Sequence, residues 1–521
     1  MIRLTFLLVL TSLLSLQGFA QISTDRGFCG THEESLDRLK ANIAYAKANP
    51  LQSRMTSWVP IRFHLIGETD GTNAASINNV LDMIRSINID FEAQNLQFFL
   101  DDSDGGVFDF TFSDALYNET QNFFSFRNSA KASNAITVYI PNNATPPNSA
   151  GNGVTLGYYS PSGDFLVFKK SEVNSNSATA SHEIGHYLSL PHPFRGWDCA
   201  TWTGTTNDQG FVSNPVTNTT ANFCGISSRI ELVSRGSDGN CATAGDLFCD
   251  TNADYGMGFG WNGCNYTGGV QDATGTPLDP DEDNFMGYFV NDCNPYQFTP
   301  EQIAAMNADY LSPSRSFLRR TAPNSTEQIT ESVQVVSPAD GATTFFSDEA
   351  TIDWEPTPNA EFYFLEVGTR ASLQERNLIF SEIVTSTSQV LDGLEAGTEY
   401  YYRIRPFSQS SFGQRGATLS FFTGTVSGVS SQPEAVTSMT LFPNPSQVGG
   451  SSTLKIDATE SGEITIVVRD LTGRVLATSI ERVITGDNTI DMRNSVPKVK
   501  GSYTISVSNS RGLSSQQFSV F

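Results

Sequence analysis

Three of the five histidines in this chain fall within eleven residues, His182-Glu183-Ile184-Gly185-His186-Tyr187-Leu188-Ser189-Leu190-Pro191-His192. On a helix, residues four apart share a face, so His182 and His186 can aim two imidazole nitrogens at one tetrahedral cation while Glu183 lies beside the open coordination position. This is the zinc-protease arrangement. Zinc lowers the pKa of its bound water to about 7, and a carboxylate then takes the proton as the water attacks a peptide carbonyl. Glu183 is the expected general base. A third ligand six residues after His186 must come from chain that has left the helix, since unbroken helix would carry that position to another face; Pro191 fits such a break and His192 is the candidate. A bare histidine pair around a glutamate also arises by chance on surface helices. The third histidine, in a chain so poor in them, argues for a metal. His32 and His64 stand alone and are assigned no role.

The same residues resemble the signature of the metzincin metalloproteases, H-E-x-x-H-x-x-G-x-x-H followed later by a Met-turn. Ser189 stands where that pattern has glycine. The glycine ends the helix in a left-handed conformation, which a residue with a side chain adopts at a cost of about 1 kcal/mol or somewhat more. A second match is Asn284-Phe285-Met286-Gly287-Tyr288, followed by Cys293 and Phe298-Thr299-Pro300-Glu301-Gln302, which looks like the Met-turn of the pappalysin-like branch. The resemblance implies that Met286 forms an apolar floor under the metal and that Tyr288 swings toward it, its hydroxyl steadying the oxyanion. A lone cysteine thiolate is a good zinc ligand, so Cys29 in Phe28-Cys29-Gly30-Thr31 can occupy the open position, and the same branch carries a Cys-Gly latency switch. Gly245-Asp246 and Cys249-Asp250-Thr251 resemble a calcium-binding segment of that family, and oxygen ligands suit calcium. Asp246, Asp250 and Thr251 are its candidates, with solvated loop acids as the plain alternative.

These residues need elements to position them. A pro-segment is expected at 21–55, with a polar helix over 33–48 and an activation cut at Arg54. Trp58 to Ile66 alternates and is β-rich, and Ser76 to Gln94 carries Val80, Ile84, Ile87 and Phe91 at helical spacing, so a strand then a helix opens an α/β domain over 56–312. Further strands are expected over 97–100, 135–140 and 164–168; the resemblance implies that the last is the edge strand that pairs with extended substrate. The stretch between His192 and Met286 is rich in Gly, Asn and Cys and longer than an ordinary loop. A helix over 300–310 should close the domain.

A linker follows at 313–328, then β-rich runs with Trp354 early and Leu394-Glu395-Ala396-Gly397-Thr398-Glu399-Tyr400 late, over 329–424, which suit a β-sandwich and are similar to fibronectin type III modules. After a second linker at 425–437, residues 438–521 are again strand and turn. Leu441-Phe442-Pro443-Asn444-Pro445, then 467–475 with Asp470 and Gly473, then Gly501-Ser502-Tyr503-Thr504-Ile505, resemble the C-terminal sorting domain of the type IX secretion pathway. That resemblance implies the secretion machinery as a partner. The expected fold is thus multidomain, an α/β (α+β) metzincin catalytic domain followed by two all-β sandwiches.

The first twenty residues, with Arg3, an apolar run from Leu4 to Leu16 and small residues at Gly18 and Ala20, read as a cleavable secretory signal. No later stretch is apolar enough to span a membrane. A net charge of −24 argues against nucleic acid, because phosphate binding needs a basic face. Cys199, Cys224, Cys241, Cys249, Cys264 and Cys293 follow the zinc motif, which in an exported protein reads as three disulfides, with Cys29 left as a thiol and the pairing open. The function these features support is a secreted or surface zinc metalloendopeptidase, made latent, that acts on proteins or peptides with Zn2+ and possible Ca2+ as cofactors. Its rivals are an adhesin on a metalloprotease fold that has lost activity, with Ser189 as the sign of decay, and a zinc hydrolase acting on something other than peptides.

Overall fold

The computed structural model describes residues 27–29, 31, 36–50, 56–103, 105–119, 123–145, 154–198, 200, 213–223, 225–256, 264–288, 293–424, 436–448, 450, 452–470, 474–493, 495–509 and 513–521. The expected signal at 1–20, the expected cut at Arg54, Cys199, Cys224 and the side chain of Cys29 lie outside this description. The chain divides into two compact units, one of Met1–Ala342, Thr351–Val390 and Glu399–Phe421, the other of Thr343–Ala350, Leu391–Thr398 and Phe422–Phe521.

In the first unit, β1 (Gly27–Cys29) and α1 (Asp37–Ala48) precede β2 (Ser57–Gly67), α2 (Ile77–Asp90), β3 (Leu96–Leu100) and β4 (Phe108–Phe112). Short helices α3 (Asp114–Tyr117) and α4 (Phe124–Ser129) lead to β5 (Ile136–Ile140), β6 (Val154–Ser160) and β7 (Phe165–Phe168), then to α5 (Thr179–Tyr187), β8 (Thr220–Phe223), β9 (Ile226–Arg229) and α6 (Pro300–Leu311). The main sheet runs β1-β6-β7-β5-β2-β3, with β4 also on β2. Strand β2 is buried without interruption from Val59 to Gly67, as a parallel strand covered on both faces must be. Its first half pairs with β3 and its second with β4.

The edge strand differs from expectation. Residues 165–168 form β7, which lies inside the sheet, parallel to β5 and antiparallel to β6. The four-residue connection from Ser160 to Phe165, with Asp164 at φ 54°, turns the chain straight back on itself, and short connections make antiparallel neighbours. Strand β1 lies outermost, paired with β6, and among the strands after residue 55 the outer one is therefore β6, interrupted by Gly157 and exposed at Val154, which hides its strand character.

Helix α2 turns Val80, Leu81, Ile84 and Ile87 into the core, and Ser181 near the start of α5 donates to Asp90 at its end, 2.5 Å away. Helix α6 starts at a capping box of Thr299 and Gln302 with Pro300 in its first turn, a strong start signal. Residues 313–319, read from sequence as linker, form a 3-10 helix that buries Arg315 and Leu318.

The later strands of this region are β10 (Val335–Ser337), β11 (Ala342–Thr343), β12 (Glu349–Trp354), β13 (Phe362–Gly368), β14 (Leu378–Val384), β15 (Ser388–Asp392), β16 (Glu399–Phe407) and β17 (Leu419–Phe422), in two sheets ordered β10-β12-β15 and β11-β17-β16-β13-β14. Within the first unit, Phe364, Phe407 and Phe412 share one apolar core with β2 and α2. Asn78 of α2 donates to Glu366 at 2.6 Å. Arg405, 1% exposed, donates to the Asn78 carbonyl at 2.9 Å and pairs with Asp82 at 2.8 Å. The second unit contains β18 (Val436–Phe442), β19 (Thr453–Ala458), β20 (Gly462–Asp470), β21 (Val475–Val483), β22 (Gly486–Asp491), β23 (Gly501–Ser508) and β24 (Leu513–Val520), in sheets β18-β19-β22 and β21-β20-β23-β24. Alternate residues of β20, Ile464, Ile466 and Val468, face its core. Among the described residues no helix is long and apolar enough to cross a membrane.

The α2 contact is quantitative. Removing one partner of a buried pair costs about 3 kcal/mol or more, whereas a rim ion pair contributes at most about 1 kcal/mol. Arg405→Ala should therefore destabilise the first unit by about 3 kcal/mol in urea unfolding, and Arg415→Ala, on the outer side of the same Asp82, by less than about 1 kcal/mol.

Candidate metal centre

Every residue of α5 is buried. Its start is prepared by Glu172, whose carboxylate accepts from Ser177 at 2.8 Å and Thr179 at 3.0 Å, a favourable charge at a helix N-terminus. Its end is a Schellman turn: Ser189 N–H donates to His186 O and Leu190 N–H to Gly185 O, each at 2.9 Å. Ser189 holds the left-handed position at φ 77°, as the glycine of the signature would. The chain leaves the helix there, ahead of Pro191, and His192 comes back over the same face.

The turn brings the three rings together. His182, His186 and His192 are 6, 4 and 1% exposed, and their Nε2 atoms stand 3.1, 3.1 and 3.3 Å apart. Among the described residues this is the one group of three or more such side chains with metal-ligand spacing. Each Nδ1 is engaged elsewhere: on Phe285 O at 2.6 Å, on Leu190 O at 2.7 Å and on Asp198 Oδ1 at 2.6 Å. Nδ1–H donation leaves an Nε2 lone pair on each ring. Burial first, then the neighbouring rings, push the His182 pKa down to about 3 and that of His186 well below its ordinary value. Three rings with converging Nε2 atoms fit a cation, and a tetrahedral zinc with bonds of about 2.0–2.1 Å has edges of about 3.3–3.4 Å.

The surroundings fix this geometry from several sides. Met286 is fully buried, and a Cβ on Gly185 would stand 2.5 Å from its Sδ, so the methionine packs directly under the helix where only glycine leaves room. Asn284 accepts from Met286 N–H at 2.9 Å and donates to Gln302 at 3.0 Å, joining this turn to the cap of α6. The Tyr288 ring lies 5.0 Å from His192 and 6.1 Å from His182. Phe194 stacks on His192 at 4.6 Å and meets Tyr288 edge-on at 4.5 Å. Glu183, 1% exposed, faces the outer strand, where a Cβ on Gly157 would come within 3.1 Å of its Cγ.

Behind the helix lies a buried ionic network. Asp309, 0% exposed, is reached by Arg315 at 3.3 Å and by Arg38 Nε at 2.6 Å. Both guanidinium groups also donate to the carbonyl of Tyr187, the last residue of α5, at 2.6 and 2.8 Å. Arg315 stacks 3.7 Å over the Tyr187 ring and pairs with Asp164 at 2.6 Å.

The predicted oxygen site is split. Asp246 and Thr251 are buried and hydrogen-bonded to each other, but Asp250 accepts from Thr299 Oγ1 and from the backbone N–H of Glu301, at the N-terminus of α6. Glu231, which sequence reading missed, is 3% exposed and, among the described residues, accepts no hydrogen bond beyond its 2.9 Å ion pair with Arg235. Burial, and then Glu231, raise the Asp246 pKa well above the carboxylate range. Of the cysteines, Cys241 is bonded to Cys249 and Cys264 to Cys293.

No protein-family model matches the chain, and no curated protein matches it. Among solved structures it is similar to a protein named FN3tt (13% identity over 18% of this chain and 97% of that one, TM-score 0.15). It is similar also to the fn3 domain of human contactin 1 (23% identity, 21% and 98% covered, TM-score 0.15) and to latent PorU from Porphyromonas gingivalis (14% identity, 36% and 20% covered, TM-score 0.16).

Phe194, Asp198, Asn284, Gln302, Asp309 and Arg315 had no role in the sequence reading. Asp198 had a local signal, an acid six residues past the third histidine. Outer partners of this kind contribute 10- to 100-fold to metal affinity. Asp198→Ala should weaken zinc binding by that factor in competition with a chromogenic chelator; an unchanged affinity would show that the carboxylate does not hold the ring.

Proposed function

We propose that the chain is a zinc-dependent metalloendopeptidase of the pappalysin-like metzincin type, exported and made as a zymogen. The observation that carries this reading is the convergence of three imidazole Nε2 atoms beside a buried glutamate, next to strand β6 of the main sheet. His182, His186 and His192 would hold the metal, which when bound supplies a Lewis acid and a water of lowered pKa. Glu183 takes the proton of the attacking water and hands it to the leaving amine. The hydroxyl of Tyr288, on a ring set beside His192 by Phe194, donates to the oxyanion as charge develops there. An extended peptide would add to β6 through backbone hydrogen bonds, which select length and backbone direction rather than side-chain identity.

Ser189 does not favour the inactive-adhesin reading, since it completes the turn that a glycine would make. Glu183→Gln should retain stoichiometric zinc and lose at least about 100-fold in hydrolysis of casein, the range expected for a lost general base. Retained activity, or no zinc in the parent protein, would reject the assignment.

Asp246, Thr251 and Glu231 form a hard oxygen set that suits calcium, with Arg235 covering one side of it. We include calcium as a structural cofactor there. At about 100 times its Kd, calcium should stabilise the chain by about 2.7 kcal/mol, read as a rise in Tm. Glu231→Gln should abolish that rise while leaving zinc binding intact. The C-terminal strands serve export through the type IX machinery and delivery to the cell surface or beyond.

A further inference from the structure

The segment before residue 56 touches the candidate centre at three successive points. The Thr31 hydroxyl donates to Glu183 Oε2 at 2.9 Å and accepts the backbone N–H of Tyr159, on the outer strand, at 2.8 Å. At the start of α1, Arg38 reaches the Tyr187 carbonyl and Asp309. One turn further, Asn42, 5% exposed, donates to Ser189 Oγ and to Asp309, each at 2.8 Å. Residues 31, 38 and 42 thus meet residues 183, 187 and 189 in order, and Leu39 between them is buried in the core of the first unit. Strand β1 meanwhile lies parallel on β6, with Gly27 opposite Val154, Phe28 opposite Thr155 and Cys29 opposite Gly157.

We propose that Thr31, Arg38 and Asn42 form a latch that keeps the enzyme closed by itself, without a bond from Cys29 to the metal. The inference rests on the reading of Glu183 as the proton acceptor in peptide hydrolysis. Thr31 acts at two points, because a single hydroxyl occupies an oxygen of that carboxylate and an N–H of the strand that a substrate would pair with. A side chain of two carbons could not hold that position alone. The anchor is α1, whose Arg38 shares the buried carboxylate of Asp309 with Arg315, the kind of charge-assisted pair that outweighs neutral hydrogen bonds. Ser189 belongs to the anchor as well, since glycine at that position would give Asn42 no side-chain oxygen to meet.

All latch residues lie in the segment that maturation removes, so every variant matures to the same enzyme. Uncut full-length zymogen loaded with zinc is assayed on a quenched fluorescent peptide before and after limited proteolysis. Cys29→Ser zymogen should stay below about a tenth of its matured activity, and Arg38→Ala/Asn42→Ala in that background should raise the uncut activity at least about 10-fold. If Cys29→Ser alone reaches matured activity, the latch is refuted. The second measurement needs no zymogen to fold: a labelled peptide of residues 27–48 carrying Cys29→Ser is titrated into the matured chain. It should bind, and Arg38→Ala in the peptide should weaken binding at least 10-fold; equal binding of the two peptides also refutes the latch. Matured protein that binds the peptide but cleaves nothing overturns the protease assignment and leaves the docking of the segment standing.

Discussion

Three imidazole lone pairs pointed at one another from about 3 Å are unfavourable without something positive between them, and the first unit is built to impose that arrangement. Each ring is locked through its far nitrogen by a different part of the chain: the turn before Met286, the Schellman turn after α5, and the carboxylate of Asp198. Burial lowers the pKa of His182 and His186, so protonation offers those two rings little relief, since a charged imidazole would lose its hydration. A cation held between the three Nε2 atoms would supply that relief. Much of the packing nearby follows from this, including the glycine at 185 that lets Met286 reach the helix and the glycine at 157 that lets the outer strand approach Glu183.

A helix whose residues are all buried also has a problem at its end, where carbonyl oxygens and the negative end of the dipole meet no water. Here the Schellman turn satisfies Gly185 and His186, and two guanidinium groups satisfy Tyr187. Those cations need a counter-charge in the same dry region, which Asp309 and Asp164 provide. The residues after 312 are therefore part of the centre's support. Serine, arginine and proline there gave a linker-like composition, but Arg315 is held by groups that lie more than a hundred positions earlier as well as by its own neighbour Asp309.

What could be read in advance follows the range of the interaction. The histidine triplet, the helix over 300–310 and the amphipathic α2 are local patterns, and each has its counterpart in the structure. The strand at 57–67 was legible as β-rich, although burial on both faces rather than alternation explains it. The edge strand was not legible, because which strand is outermost depends on pairing between distant segments, and β6 carries a glycine and tyrosines rather than a branched apolar run. Asp250 illustrates the same limit. Its neighbours in sequence suggested a cation site, while its partners in space are Thr299 and Glu301. Glu231 went unseen for the converse reason, being a single acid in an unremarkable strand-like stretch until folding sets it against Gly245.

Ser189 ties these threads together. A left-handed residue with a side chain carries a strain of about 1 kcal/mol, and this one sits between the helix bearing two candidate ligands and the segment bearing the third. In the intact chain its hydroxyl has Asn42 as a compensating partner. If residues 21–55 are removed, as the proposed maturation requires, that partner would leave, while the backbone strain, set by the Schellman turn, would remain. On that proposal the turn is better satisfied in the precursor than in the mature chain, so one substitution relative to the glycine pattern would favour the closed form without altering the positions of His182, His186 and His192. A glycine would relax the backbone equally in both forms and offer no side-chain contact in either. Serine therefore couples the geometry of the metal centre to the presence of the segment that covers it.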